Sequence, residues 1–265
     1  MEQRKPDRTL DRDGQIAVLH SLLDIGEMLV CSGAEINRVE DTLARIGYSY
    51  GAEHMDIFAI MSSIIVTAVF PGYREVTLTR RITSPGPTDF TKIEELNALS
   101  RECCKAPFPP GKLREKVGRI REEKLSDRDL IAGSLIGSFS FAVFFGGTIA
   151  DGLTSAGIAL LICLLQKRVV KYMPNTVTSN LVISVFMGAF IWSITRLFSF
   201  LHQDWVAIGD IMLLIPGLAM TNAFRDVLVG DTIAGLMRLI ESLLWAGAIA
   251  AGFMVAFWFL QEVVA

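Results

Sequence analysis

Charge is distributed so unevenly along this chain that its two parts cannot suit the same solvent. Residues 1–127 carry 18 Lys/Arg and 20 Asp/Glu, whereas residues 128–265, the longer part, carry 7 and 8. A bilayer core about 30 Å thick requires roughly 20 apolar helical residues, because lipid cannot satisfy exposed backbone groups. Five candidate spans follow: Leu130 to Ile149, Leu153 to Leu165, Val177 to Phe198, Trp205 to Phe224, and one within Thr232 to Leu260. The second is short. The expected fold is a membrane α-helical bundle of about five transmembrane helices over 126–265, behind a cytoplasmic α+β domain over 1–125.

Orientation follows from the short loops, since Lys and Arg mark the cytoplasmic side. Lys167, Arg168 and Lys171 cluster after the second span, whereas the loops near Asp151 and from Ser199 to Asp204 contain neither residue type. Nothing near Met1 resembles a secretion signal, because Asp7, Asp11 and Asp13 interrupt any apolar run. The amino terminus is thus expected inside, and Ala265 outside. Gly133 with Gly137, and Ala248 with Gly252, are small pairs that allow close helix contact, within the chain or in a homo-oligomer. Trp192, Trp205, Trp245 and Trp258 include interface-anchor candidates.

In the charged part, Ile16 to Tyr50 has helical periodicity with a break near Ser32-Gly33, which predicts two helices. The run Ile57 to Phe70 is too short to span and rich in Ile and Val, so strands are expected there. Glu75 to Thr83 alternates, with Val76, Leu78 and Ile82 on one face and Thr77, Thr79 and Arg81 on the other, predicting a hairpin turning at Pro71-Gly72-Tyr73. After Pro85 and Pro87, Thr91-Lys92-Ile93-Glu94 has capping-box form ahead of a helix to about Cys104. Lys112 to Lys124 reads as a charged connecting helix behind the Pro107 to Gly111 break.

Several functions find no support in these residues. A net charge of −3 without a basic stripe gives no reason to expect nucleic-acid binding. The four cysteines form no C-x-x-C, and His20, His54 and His202 are scattered, so no metal site, cofactor or Ser-His-Asp set is expected. The chain does not read as an enzyme.

What remains is a concentration of polar groups where they are expensive. Pro216-Gly217 breaks the fourth span, and broken helices near the bilayer centre are where transporters hold polar substrates and coupling ions. Asn222, Arg225 and Asp226 follow at i, i+3 and i+4 on one face, with Thr221 beside them. Asp231, Arg238 and Glu241 continue the set into the last span, where Arg238 and Glu241 fall either in the bilayer or at the interface. Asn222, Asp226, Arg238, Arg225 and Thr221 are candidates for substrate binding. Asp210, Glu241 and Asp231 are candidates for proton coupling. Glu35, Arg38 and Glu40, around Ser32-Gly33-Ala34, suit helix capping or a docking surface on the soluble domain.

Gly33-Ala34-Glu35 with Arg38-Val39-Glu40-Asp41, the three strands, and later Ile215-Pro216-Gly217, Asn222, Asp226, Gly230, Gly235 and Arg238 together carry a resemblance to the threonine/serine exporter (ThrE) family. The chain is most similar to that family's amino-terminal half, which also occurs as a separate subunit of the YjjP type. The resemblance implies secondary export of threonine and serine, or of C4-dicarboxylates such as succinate in the split form. It further implies a small YjjB-like membrane subunit as partner and a bacterial inner-membrane location. The competing class is a membrane-anchored regulatory or assembly subunit acting through its soluble domain.

Overall fold

The computed structural model describes residues 10–72, 74–83, 88–123, 126–169, 172–173 and 175–264. Met1, Asp7, Tyr73, Pro85, Pro87, Lys124, Lys171 and Ala265 lie outside the described residues. Two compact units divide the chain: residues 1–124 with 221–239, and residues 125–220 with 240–265. The segment 221–239, grouped with the apolar part by its hydropathy, packs with the charged part.

The first unit contains α1 (Arg12–Cys31), α2 (Ile36–Ser49), β1 (His54–Ile60), β2 (Ser63–Val69), β3 (Val76–Arg81), α3 (Phe90–Lys105) and α4 (Pro110–Glu122). The strands form one antiparallel meander in the order β1-β2-β3, with Phe58 opposite Ile65 and Val66 opposite Leu78. The Ile/Val-rich run thus splits into β1 and β2, and β3 takes the alternating stretch. On length and hydropathy alone α1 could cross a membrane. Its side chains show otherwise, since Val18, Leu22, Ile25 and Leu29 are buried within the unit's core together with Leu43 of α2 and Ile64 of β2. A helix apolar on most sides must be enclosed by protein or by lipid, and here protein encloses it.

Two local expectations change. The α3 cap is Asp89, whose Oδ1 accepts the Lys92 N–H at 2.9 Å, so the helix starts ahead of Thr91. The physical reason is that a bond from the Asp89 N–H to the Ser32 carbonyl, 3.1 Å, already fixes Asp89 as the entry point. The segment expected as a connector is a core helix: Leu113, Val117 and Ile120 of α4, at helical spacing, are buried.

The second unit contains α5 (Asp127–Phe144), α6 (Ile149–Val169), α7 (Thr176–Leu197), α8 (Gln203–Leu214) and most of α10 (Thr232–Val264), while α9 (Gly217–Val229) lies largely in the first. The expected first span is cut short, because Gly146 at φ +112° turns the chain after Phe144 and hands Ile149 to α6. The second is correspondingly longer than expected, at 21 residues. Among the described residues, the helices besides α1 that are long and apolar enough to cross a membrane are α6, α7 and α10, and α8 with α9 forms a pair bent by 52° at Ile215-Pro216. Asp127, Arg128 and Asp129 occupy the first turn of α5, which is not in that set. Ile136, Phe144, Phe186, Met254 and Trp258 are exposed, as on helices that face lipid. Trp192, an anchor candidate, is instead buried.

Of the small-residue pairs, Ala248/Gly252 packs within the chain. A Cβ at Gly252 would meet Ser184 Cβ at 2.6 Å and the Leu181 carbonyl oxygen at 2.8 Å, so α7 and α10 are in backbone contact there. Gly133 has open space around it.

Candidate functional site

The site grows from the turn between α1 and α2. Gly33 adopts φ +87°, a left-handed conformation that favours glycine, and lets Ala34 donate back to the Leu29 carbonyl at 3.0 Å. Past this turn, the carbonyls of Gly33 and Ala34 and the first N–H of α2 remain to be satisfied. Glu35 is the N-cap residue of α2, yet its side chain makes no capping bond. The capping role expected of Glu35 passes to a residue almost two hundred positions away.

That residue is Asp226, which accepts a hydrogen bond from the Ile36 N–H. A carboxylate at this end complements the positive end of the α2 dipole. Arg238 serves the opposite pole, donating from Nη2 to the Ala34 carbonyl at 3.0 Å beyond the α1 C-terminus. Asn222 Nδ2 donates to the Gly33 carbonyl at 3.0 Å. Arg238 Nη1 and Asp226 Oδ2 then pair at 2.9 Å, both residues being 3% exposed or less. Met61 Sδ lies 3.2 Å from Nη2 and 3.4 Å from Nε of the same guanidinium. Closer to the surface, Glu35 pairs with Arg225 at 2.9 Å and with Arg38 at 3.3 Å.

These groups converge because of local backbone form. Gly230 at φ +111° ends α9, and Asp231 donates back to the Asp226 carbonyl at 2.9 Å, so α10 starts at once. Gly235 permits the resulting close approach, since a Cβ there would stand 2.8 Å from the Ala223 carbonyl oxygen. Asp226 and Arg238, on successive helices, are thereby held side by side. Glu40 borders the junction: its Oε1 accepts the Ala59 N–H at 2.8 Å. Burial raises the Glu40 pKa, with the Asp231 and Asp56 charges adding to it and the Ala59 bond opposing.

Among the candidates, Asn222, Arg225, Asp226, Arg238, Glu35 and Arg38 are brought together, and Glu40 and Asp231 adjoin them. Thr221 is exposed. Glu241 is half-buried in the part of α10 that belongs to the second unit, and Pro216 and Gly217 form the break they were expected to form.

Asp210 belongs to a separate cluster within the second unit. It is fully buried on α8, and Oδ1 accepts the Ser138 hydroxyl of α5 at 2.8 Å, while Ser138 and Ser155 of α6 share a 2.5 Å bond. Gly209 admits this approach, since a Cβ there would collide with Ser155 and the Ser138 carbonyl. Sequence reasoning had no signal for the two serines. It also passed over Asp151, which accepts from the Thr148 N–H and hydroxyl at 2.8 Å and from the His202 N–H at 2.8 Å, joining two loops. The Thr-x-x-Asp spacing of a capping box was the available clue.

Helices long and apolar enough to cross a bilayer, with exposed apolar faces, define a helical membrane protein. The chain belongs to the ThrE family, whose model, described as "Putative threonine/serine exporter", matches residues 20–260. No curated protein and no solved structure gives a significant match.

Proposed function

We propose that this chain is the transport subunit of a secondary exporter for small polar metabolites, either amino acids of the threonine/serine type or C4-dicarboxylates such as succinate. The carrying observation is the buried Arg238–Asp226 pair. A charge pair enclosed in this way contributes little net stability, because desolvation offsets most of its attraction. Its value is as a replaceable contact: a substrate carboxylate can take the place of Asp226 on the Arg238 fork, and a substrate ammonium the place of Arg238 on Asp226. Asn222, Arg225 and Thr221 complete the substrate set. Asp210, with Glu241 and Asp231, supplies proton-coupling carboxylates, so that outward movement uses the proton gradient.

The same reading places the first unit in the cytoplasm and the chain in a bacterial inner membrane, with a YjjB-like subunit as partner. The length of α10 supports it. From Ile240 to Leu260 the helix covers about 31 Å at 1.5 Å per residue, enough to cross the bilayer without the Arg238 turn.

Vesicles containing this chain and its partner subunit should move threonine, serine or succinate, while empty vesicles do not. Arg238→Lys is the discriminating variant, since it keeps the charge and loses the fork. Export should fall at least tenfold with protein level unchanged. Full activity in Arg238→Lys would remove Arg238 from the substrate site.

A further inference from the structure

Beside the Arg238–Asp226 pair, and built entirely from the first unit, lies a cavity of about 190 Å³. Glu35, Arg38, Asn97 and Asn222 supply its polar wall, and Val39 and Ile93 are among its apolar lining. We propose that this cavity is a second ligand site, one that binds a small zwitterionic α-amino acid and regulates the transport site next to it. The regulatory part rests on the transport reading above. The binding part does not.

Size comes first. Ligand pockets for drug-sized molecules occupy about 300–1,000 Å³, so this cavity suits only a small metabolite. Charge then selects among small metabolites. Arg38 reaches Glu35 through Nε at 3.3 Å, and its two terminal nitrogens make no ion pair among the described residues. They present donors to a carboxylate. Glu35 offers the opposite sign. Its two oxygens hold one arginine each, and a carboxylate has about four acceptor positions, which leaves room for an ammonium. A wall with a guanidinium edge that makes no ion pair among the described residues, and a carboxylate with acceptor positions beyond its two arginines, matches a molecule carrying both charges. A dicarboxylate would set its second negative group against Glu35.

The amides support the same class. Asn97 makes no hydrogen bond to another described residue, so its amide is available to a ligand carboxylate or hydroxyl. Asn222 is already engaged with the Gly33 carbonyl and also lines the cavity. Occupancy is thereby felt by α9: a ligand resting on Asn222 and Glu35 strengthens the attachment of 221–239 to the α1–α2 turn. Because that segment holds Asp226 and Arg238, filling the cavity changes how readily their pair opens.

The test uses the full-length chain in detergent, with radiolabelled threonine and serine as probes and succinate as competitor. Equilibrium binding is measured in the Arg238→Lys background, where the transport site is disabled, and flux is measured separately in vesicles. Threonine or serine should bind at about one per chain, succinate should not compete, and adding Arg38→Ala or Asn97→Leu should weaken binding at least tenfold. Unchanged melting temperature identifies the loss as one of contact. Unaltered binding in both cavity variants, or equal competition by succinate, overturns the cavity and leaves the exporter reading standing. Absent flux in the parent with binding still sensitive to Asn97→Leu overturns the exporter reading and leaves the cavity. Two variants are used because either alone can perturb folding. Arg38 is largely exposed, and Asn97→Leu keeps the branched shape and heavy-atom count while removing the amide's donors and acceptor.

Discussion

At the scale of single residues, the two ends of one ion pair have unequal alternatives. Removing Arg238 leaves Asp226 enclosed without its counter-charge, a situation that costs about 3–5 kcal/mol for buried pairs. Arg238→Ala should therefore lower the melting temperature markedly, whereas Asp226→Leu with Arg238→Met should restore much of the loss. An Arg238→Ala protein as stable as the parent would show that the pair is not enclosed. Glu40 gives a second, pH-dependent prediction. Its pKa in the fold is raised, mainly by burial, above the ordinary 4.5. The folded state then binds the proton more tightly than the unfolded state, so Glu40 favours unfolding increasingly as pH rises past 4.5 through its folded pKa. Glu40→Gln keeps an acceptor for the Ala59 N–H and removes the charge. Its advantage in melting temperature over the parent should be near constant well below pH 4.5 and grow as pH rises past 4.5. A flat difference across that range would rule out the assignment. The sequence spacing did put Asn222, Arg225 and Asp226 on one face and added Arg238. It could not show their partners, since Gly33 and Ala34 stand 189 and 204 residues away and present only backbone carbonyls, which carry no residue signature.

At the scale of elements, legibility depended on whether the deciding interaction was local. The helix break at Pro216-Gly217, the two helices either side of Gly33 and the meander strands follow from backbone preferences of nearby residues, and were readable. Helix α1 illustrates the limit. Its hydropathy is high enough for a membrane span, and the sheet, α2, α3 and α4 packed against it decide otherwise. The α5–α6 boundary depended on the left-handed turn at Gly146, one glycine among 22 in the chain. Helix contact supplies an element-scale prediction. Gly252→Ala inserts a methyl 2.8 Å from the Leu181 carbonyl oxygen, and backbone cannot rotate away as a side chain can. It should separate α7 from α10 and destabilise the protein by about 1–3 kcal/mol, the usual cost of overpacking. Gly247→Ala, on the same helix with nothing within 4 Å, should be neutral or gain up to about 1 kcal/mol through helix propensity. Equal effects of the two substitutions, read by thermal unfolding in detergent, would contradict the packing described.

For the whole molecule, the apparent division by charge at residue 125 and the division by packing differ in one respect, and that respect carries a topological consequence. Residues 221–239 belong with the charged unit. If that unit lies in the cytoplasm, on the same side as the Lys167 and Arg168 loop, which requires α5 as well as α6 to cross the membrane, then Arg225 and Arg238 lie on the cytoplasmic side as well. If the bent α8–α9 pair crosses the membrane as one broken span, Gln203, the first residue of α8, is then external. Single-cysteine labelling tests all three positions together. In a protein whose native Cys31, Cys103, Cys104 and Cys163 have been replaced, a cysteine at Gln203 should react with an impermeant reagent added outside intact cells. Cysteines at Lys112 and at Leu228, which is exposed on α9, should react only after permeabilisation. External labelling at Leu228 with protection at Lys112 would separate 221–239 from the charged unit, and with it remove the Asp226 cap from α2. Labelling of Lys112 from outside, with Gln203 protected, would invert the topology while leaving the junction intact, because every contact in that junction is internal to one unit.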